Sequence, residues 1–138
     1  MLYCDSSVAV ALLLNEPHSA RADDSWATRR GEVLALSRWV ETEVAAALSA
    51  KMRSGLDTGL LDEARARFAE LIRSSHRLPI EARHFDLATR FASVSGALLR
   101  GGDALHLAIA FEAGATLCTF DRRQAGAAAL LNVPCELI

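Results

Sequence analysis

Four things are missing from this sequence, and each absence removes a class of function. It has no excess of positive charge: 15 Lys and Arg stand against 17 Asp and Glu, for a formal net charge of −2. Domains that bind nucleic acid by bulk electrostatics are strongly basic, so only a local basic rim stays open to this chain. It has no cysteine framework, because its three Cys are odd in number and lack CxxC or metal-type spacing. That fits a reducing compartment, and the expected location is the cytoplasm. No apolar stretch reaches the roughly 20 residues a membrane helix needs, and Asp5 interrupts the apolar start, so neither a membrane span nor a signal segment is expected. Finally, there is no internal repeat, low-complexity linker or domain boundary, and the 138 residues read as a single domain, 1–138. What is present is 51% apolar residues, much of it Ala, beside 23% charged ones, enough for a real core under a solvated surface.

The chain then alternates short apolar runs with helical periodicity. Met1-Leu2-Tyr3-Cys4 reads as a strand that runs into Asp5-Ser6-Ser7, and Val8, Val10 and Leu12 to Leu14 continue as a helix. Ser6 or Ser7 is expected to cap that helix while Asp5 faces the positive end of its dipole. Asn15-Glu16-Pro17 reads as a stop with Pro17 opening a new helix, the polar stretch His18 to Arg30 as surface, and Gly31 as its end. Val33 to Leu36 has strand length, and Ser37 caps a helix from Arg38 to Arg53 whose stripe is Val40, Val44, Ala47 and Leu48. Helices follow over Asp57 to Ser75, with Leu60, Leu61, Ala64, Phe68, Leu71 and Ile72 on one stripe, and over Glu81 to Ser95, with a brief extended segment, Arg77 to Ile80, between them. Arg100-Gly101-Gly102 reads as a loop permitting positive φ before an apolar helix from Asp103. Thr116 to Phe120 is a buried strand ended by Asp121, Arg122 to Leu131 a small-residue helix, and Cys135 to Ile138 a last edge strand. Strands alternating with helices imply an α/β fold, a small parallel-stranded sheet flanked by helices on both faces.

Three acids occupy equivalent places in that scheme. Asp5 and Asp121 end strands, and Asp103 starts a helix. In a parallel sheet the strand carboxyl ends and the following helix amino ends meet at one edge, where functional crevices form. A fourth acid, Glu43, lies nearer the centre of the apolar stripe on its helix than Glu41, although Glu41 stays open as an alternative. Four converging carboxylates repel, and a divalent cation relieves them. Oxygen-only ligation selects Mg²⁺ or Mn²⁺ over zinc, and such ions suit phosphoryl chemistry. Thr119, two residues before Asp121, and Ser6 offer hydroxyls that hold a carboxylate or a water.

The order Leu2-Tyr3-Cys4-Asp5-Ser6-Ser7, Glu43-Val44 with Ala47-Leu48, Gly102-Asp103-Ala104-Leu105-His106-Leu107-Ala108, then Thr119-Phe120-Asp121-Arg122 resembles the PIN domain, and most closely its small VapC-type toxins. The resemblance covers essentially the whole chain. It implies a PIN-like fold and a Mg²⁺- or Mn²⁺-dependent endoribonuclease, the toxin of a type II toxin-antitoxin pair, inhibited by a cognate antitoxin protein and forming homodimers. The family's metal-site acids correspond to Asp5, Glu43, Asp103 and Asp121, and its hydroxyl near the last acid to Thr119.

Arg100, Arg122 and Arg123 flank two of the acids, where cations hold RNA phosphates. His106 lies one turn from Asp103, where it has two readings, positioning a carboxylate or phosphate and packing on its helix, of which packing is preferred; Cys4 and Cys118 read as core. Trp26 and Trp39 are expected away from the crevice, in packing, a dimer contact or an antitoxin groove. Two other functions stay open. One is a phosphatase with Asp5 as nucleophile, although Ser7 stands where its acid/base would be. The other is a PIN-like module that binds RNA or protein without cutting it, whose signature would be degraded acids.

Overall fold

The computed structural model describes residues 1–14, 18–29 and 31–138. The expected stop at Asn15 to Pro17, the helix start at Pro17, and Arg30 lie outside the described residues. Strands β1 (Leu2–Cys4), β2 (Leu34–Ser37), β3 (His76–Leu78), β4 (Thr116–Thr119) and β5 (Cys135–Leu137) form one sheet in the order β3-β2-β1-β4-β5, every pair parallel. The chain therefore builds outward from β1 in one direction, then returns to β1 and builds the other way. The order reverses between β1 and β4, which pair in the register Leu2 with Thr116 and Cys4 with Cys118. In parallel sheets such a reversal leaves a crevice at the strands' carboxyl ends, because the connections on its two sides diverge.

Consecutive strand residues point to opposite faces. All three residues of β1 and all four of β2 are buried, so both faces of the central strands are covered. The covering helices are α1 (Ser6–Leu13), α2 (Ser19–Ala27), α3 (Arg38–Arg53), α4 (Thr58–Ser74), α5 (Ala82–Ala92), α6 (Gly101–Glu112) and α7 (Arg122–Leu130). The core is aliphatic and closely packed: Leu36, Val40, Val44, Leu107, Ile109 and Leu117 are essentially inaccessible. Cys4 and Cys118 are buried core residues with free thiols, as expected.

Local chemistry sets the helix ends. The Ser37 hydroxyl accepts the Val40 amide (3.4 Å) to start α3, and Gly55, at φ +94°, follows its end. Two expectations are corrected. The cap of α1 is Asp5 itself, whose Oδ1 accepts the Val8 amide (3.0 Å), and Ser6 is already the first helical residue. An aspartate in extended backbone reaches an amide three residues on as well as a serine does, so the strand-ending acid takes the cap. Gly101 and Gly102 are likewise not a positive-φ loop but the first residues of α6, with Arg100 as its cap residue. Leu60 and Phe85, both 53% exposed, stand at the edges of their helical stripes rather than in the core.

Candidate functional site

The carboxyl edge of the sheet, at the reversal between β1 and β4, carries Asp5 and Asp121. Asp5 follows β1 and is 4% exposed. Its amide donates to the Cys118 carbonyl (3.1 Å), which ties it to β4. Its Oδ1 accepts from the Ser7 hydroxyl (2.6 Å) and the Val8 amide (3.0 Å); among the described residues its other oxygen has no partner. The Ser7 hydroxyl also accepts the Phe120 amide (3.1 Å), so one side chain joins Asp5 to the end of β4. Ser6, expected to support the site, lies with its hydroxyl beside Glu43.

Asp121 caps α7, its Oδ1 accepting the Arg123 (2.7 Å) and Gln124 (3.2 Å) amides. Behind it, the Thr119 hydroxyl accepts the Asp121 amide (2.9 Å) and donates to Gln124 Oε1 (2.9 Å). Gln124, 1% exposed, spends its amide nitrogen on the Asp103 carbonyl (3.3 Å). The network Thr119–Gln124 thus welds the end of β4 to the first turn of α6. Asp103 stands in that turn, its Oδ2 accepting the Arg100 amide (3.3 Å). Burial raises its pKa, and the Asp121 charge raises it further. Two of the four acids therefore feel one another as like charges.

Glu43 comes from α3. Its Oε2 is bonded to His106 Nε2 (2.7 Å). Burial alone would lift its pKa, but the hydrogen bond and charge of His106, with smaller help from Ser6 and Trp39, hold the carboxyl below its ordinary value. Its Oε1 turns toward α6: a Cβ on Gly102 would sit 3.1 Å from it. Gly102 is glycine for this close approach and not for its backbone angle. Glu41 points elsewhere and pairs with Arg77 of β3.

Among the described residues none of the four acids is ion-paired to Lys or Arg. Nor do any three His, Cys, Asp or Glu side chains already surround one point closely enough to cage a metal. Arg100, Arg122 and Arg123 are exposed at the rim, with the Arg123 guanidinium on the Leu98 carbonyl (3.0 Å). Trp26 packs against the core near Cys4 and Val8. Trp39, expected away from the crevice, is instead at its edge. Its ring faces Gly102, and its buried Nε1 lacks a well-aligned acceptor although its dipole favours the charged form of Glu43. From there an apolar groove of about 570 Å³ runs along Phe85, Ala88, Gly101 and Leu105.

The sequence does not point to these roles for Ser7, Gln124 and Trp39, and for His106 it puts packing ahead of positioning a carboxylate. A glutamine three residues after a strand-ending Asp, in a helix otherwise of small residues, is the one visible hint. The others become functional neighbours only through tertiary contacts.

The family model for the PIN domain matches residues 2–130. The chain belongs to the PIN domain family. No curated protein matches its sequence. Several solved structures share the PIN fold with it. Rickettsia felis VapBC2, bound to a DNA fragment from their promoter, matches with a TM-score of 0.72 at 16% identity, over 99% of this chain and 98% of that one. FitAcB from Neisseria gonorrhoeae gives 0.72 at 18%, over 98% and 96%. Mycobacterium tuberculosis VapC20, a sarcin-ricin loop cleaving toxin, gives 0.71 at 18%, over 92% and 95%. At these identities the likeness is one of fold. No helix among the described residues is long and apolar enough to cross a membrane.

Proposed function

We propose that this PIN domain is a Mg²⁺- or Mn²⁺-dependent endoribonuclease acting as the toxin of a toxin-antitoxin pair. The observation that carries the reading is the pair Asp5 and Asp121 at the sheet's topological reversal, with Asp103 raised by burial and by the charge of Asp121 and, among the described residues, no Arg or Lys paired with any of the four acids. The donor set fits a hard divalent ion. It is all oxygen, its mutual repulsion is what a cation relieves, and Gly102 keeps space in front of Glu43 Oε1. Asp5, Glu43, Asp103 and Asp121 would hold the ion. When bound, it supplies a more acidic water and neutralises charge developing on the phosphate.

The protein's own residues do the rest. Ser7 holds Asp5 in one rotamer, and Thr119 and Gln124 hold Asp121 against Asp103. Arg100, Arg122 and Arg123 hold RNA phosphates at the rim, which is how a chain of net charge −2 retains a nucleic acid. The Trp39 N–H is buried beside Glu43, whose charged form it favours. Ser7 removes the support for an Asp5 phosphatase: the place of the acid/base is a hydroxyl already bonded to Asp5 and to Phe120. All four acids are present, which disfavours a binding-only module. An antitoxin protein as inhibitor and a homodimer as the assembly in the cytoplasm complete the proposal, supported by family membership.

The test is incubation of purified protein with a panel of structured RNAs, with Mn²⁺ or with chelator, and mapping of the ends. Mn²⁺-dependent internal cuts that vanish in Asp5→Asn are expected. Cleavage that survives in Asp5→Asn, or an intact panel alongside hydrolysis of a small phosphomonoester, would overturn the reading.

A further inference from the structure

Buried polar side chains away from the four acids are few, and three of them form a single line. The Ser37 hydroxyl lies 2.7 Å from the Tyr3 hydroxyl, which lies 2.9 Å from His106 Nδ1; His106 Nε2 lies 2.7 Å from Glu43 Oε2. Tyr3 and Ser37 are fully buried and His106 is 2% exposed. The line runs through β2, β1 and α6 to α3, so four elements fix its geometry. We propose, on the reading that Glu43 holds the ion, that Ser37, Tyr3 and His106 form a directed hydrogen-bond chain that aims the Glu43 carboxylate, making His106 a positioning residue.

The direction follows from donor counting. A carboxylate only accepts, so the hydrogen between His106 and Glu43 belongs to Nε2. When the imidazole is neutral, Nδ1 is then the acceptor, which requires the Tyr3 O–H as donor; when the ring is charged, as in its ion pair with Glu43, both nitrogens donate and the Tyr3 oxygen accepts. Burial pushes the Tyr3 phenol upward, so it keeps that proton. Tyr3 oxygen in turn accepts from Ser37, whose oxygen takes the Val40 amide at the start of α3, the helix that carries Glu43. With the ring neutral, every polar hydrogen of the line has one place, and each of its ring nitrogens and hydroxyl oxygens is hydrogen-bonded. Fully satisfied buried networks of this kind rigidify what they touch. Here the consequence is that Oε2 is committed to His106, leaving Oε1 turned toward Gly102.

Asparagine and glutamine separate positioning from packing. At position 106 Asn reproduces the reach of Nδ1 to Tyr3 but falls short of Glu43, whereas Gln places an N–H donor where Nε2 stands. Mn²⁺ affinity by electron paramagnetic resonance, kcat and KM on a cleaved RNA, and the ¹⁵N shifts of His106 in metal-free protein are the readouts. His106→Asn is expected to weaken Mn²⁺ binding and lower kcat by about 10–100-fold, with KM for RNA changed less than about twofold, and His106→Gln to restore most of both. The shifts are expected to show hydrogen on Nε2 and none on Nδ1 at pH 8.5. Equal Mn²⁺ affinity in His106→Asn and wild type, equal losses in Asn and Gln variants, or hydrogen on Nδ1 would overturn the positioning role. Wild-type protein that binds no Mn²⁺ would instead overturn the ion-site reading, and the two failures are thereby distinct.

Discussion

Adding one methyl group at Gly102 should separate the acidic site from the stability of the fold. Gly102 is the second residue of α6, and its φ is not positive, so alanine is allowed there and should gain up to about 1 kcal/mol from helix propensity. Against this, the new Cβ would stand 3.1 Å from Glu43 Oε1 and 3.5 Å from two atoms of the Trp39 ring. The carboxylate has to give way by a few tenths of an ångström. It cannot slide back freely, because Oε2 is held at 2.7 Å by His106. It has to twist, at roughly 0.5–1.5 kcal/mol for an off-rotamer side chain. The two effects nearly cancel, so Gly102→Ala should melt within about 4 °C of wild type. Gly126→Ala is the control: mid-α7, exposed, with nothing within 4 Å of its Cβ, it should gain about 1 kcal/mol, or about 3–5 °C. Mn²⁺ affinity and RNA cleavage in Gly102→Ala should fall about tenfold or more, since Glu43 no longer points where it did. Calorimetry and an RNA cleavage time course read the two effects. Unchanged cleavage and affinity would refute the claim that Glu43 Oε1 serves the site, and a Tm loss above about 8 °C would refute the packing argument.

Asp5→Asn should keep the α1 cap, because asparagine caps as well as aspartate, and melt within about 1 kcal/mol of wild type while losing roughly 10²-fold or more of its RNA cleavage; cleavage rates and melts check both halves. Glu41→Gln should cleave RNA like wild type, because Glu41 is engaged with Arg77, while Glu43→Gln should not; comparable losses in both would sink the assignment of Glu43. Asp103 is held protonated more readily in the folded than in the unfolded chain, so its contribution to stability is complete below the unfolded value near about 4 and is lost as pH rises through the folded one. In chelator, Asp103→Asn should therefore gain Tm relative to wild type as pH is raised from 4 to 7, and a gap that closes with rising pH would contradict the burial, and with it the Asp121 repulsion, that raise Asp103.

Much of this was legible in the chain before any coordinates. β1, β2 and β4 announced themselves as short apolar runs and β5 as a last edge strand, whereas β3, with His76 and Arg77 exposed, read only as a brief extended segment from Arg77 to Ile80. Asp5 and Asp121 announced the site because each ends such a run, and the sheet order then placed them on either side of its reversal. Glu43 was favoured over Glu41 by helical phase alone, and the fold turns the two toward different partners. What periodicity does not encode is which neighbour covers a face. Leu60 and Phe85 obey their stripes but sit at the edges, where no element packs over them. Trp39 comes from the first turn of α3 and reaches the site only because α6 begins beside it, two residues earlier than the Gly-Gly pair suggested. His106 is a polar residue among apolar ones in α6, and nothing local reveals that Tyr3, 103 positions away, is waiting for it.

The most direct measurement is a Mn²⁺ titration followed by electron paramagnetic resonance on wild type and on the four single variants Asp5→Asn, Glu43→Gln, Asp103→Asn and Asp121→Asn. The account predicts saturable binding in wild type, weakened about tenfold or more in each variant, since all four carboxylates serve one site. Binding that is absent in wild type, or that survives unchanged in any of the four, would contradict it.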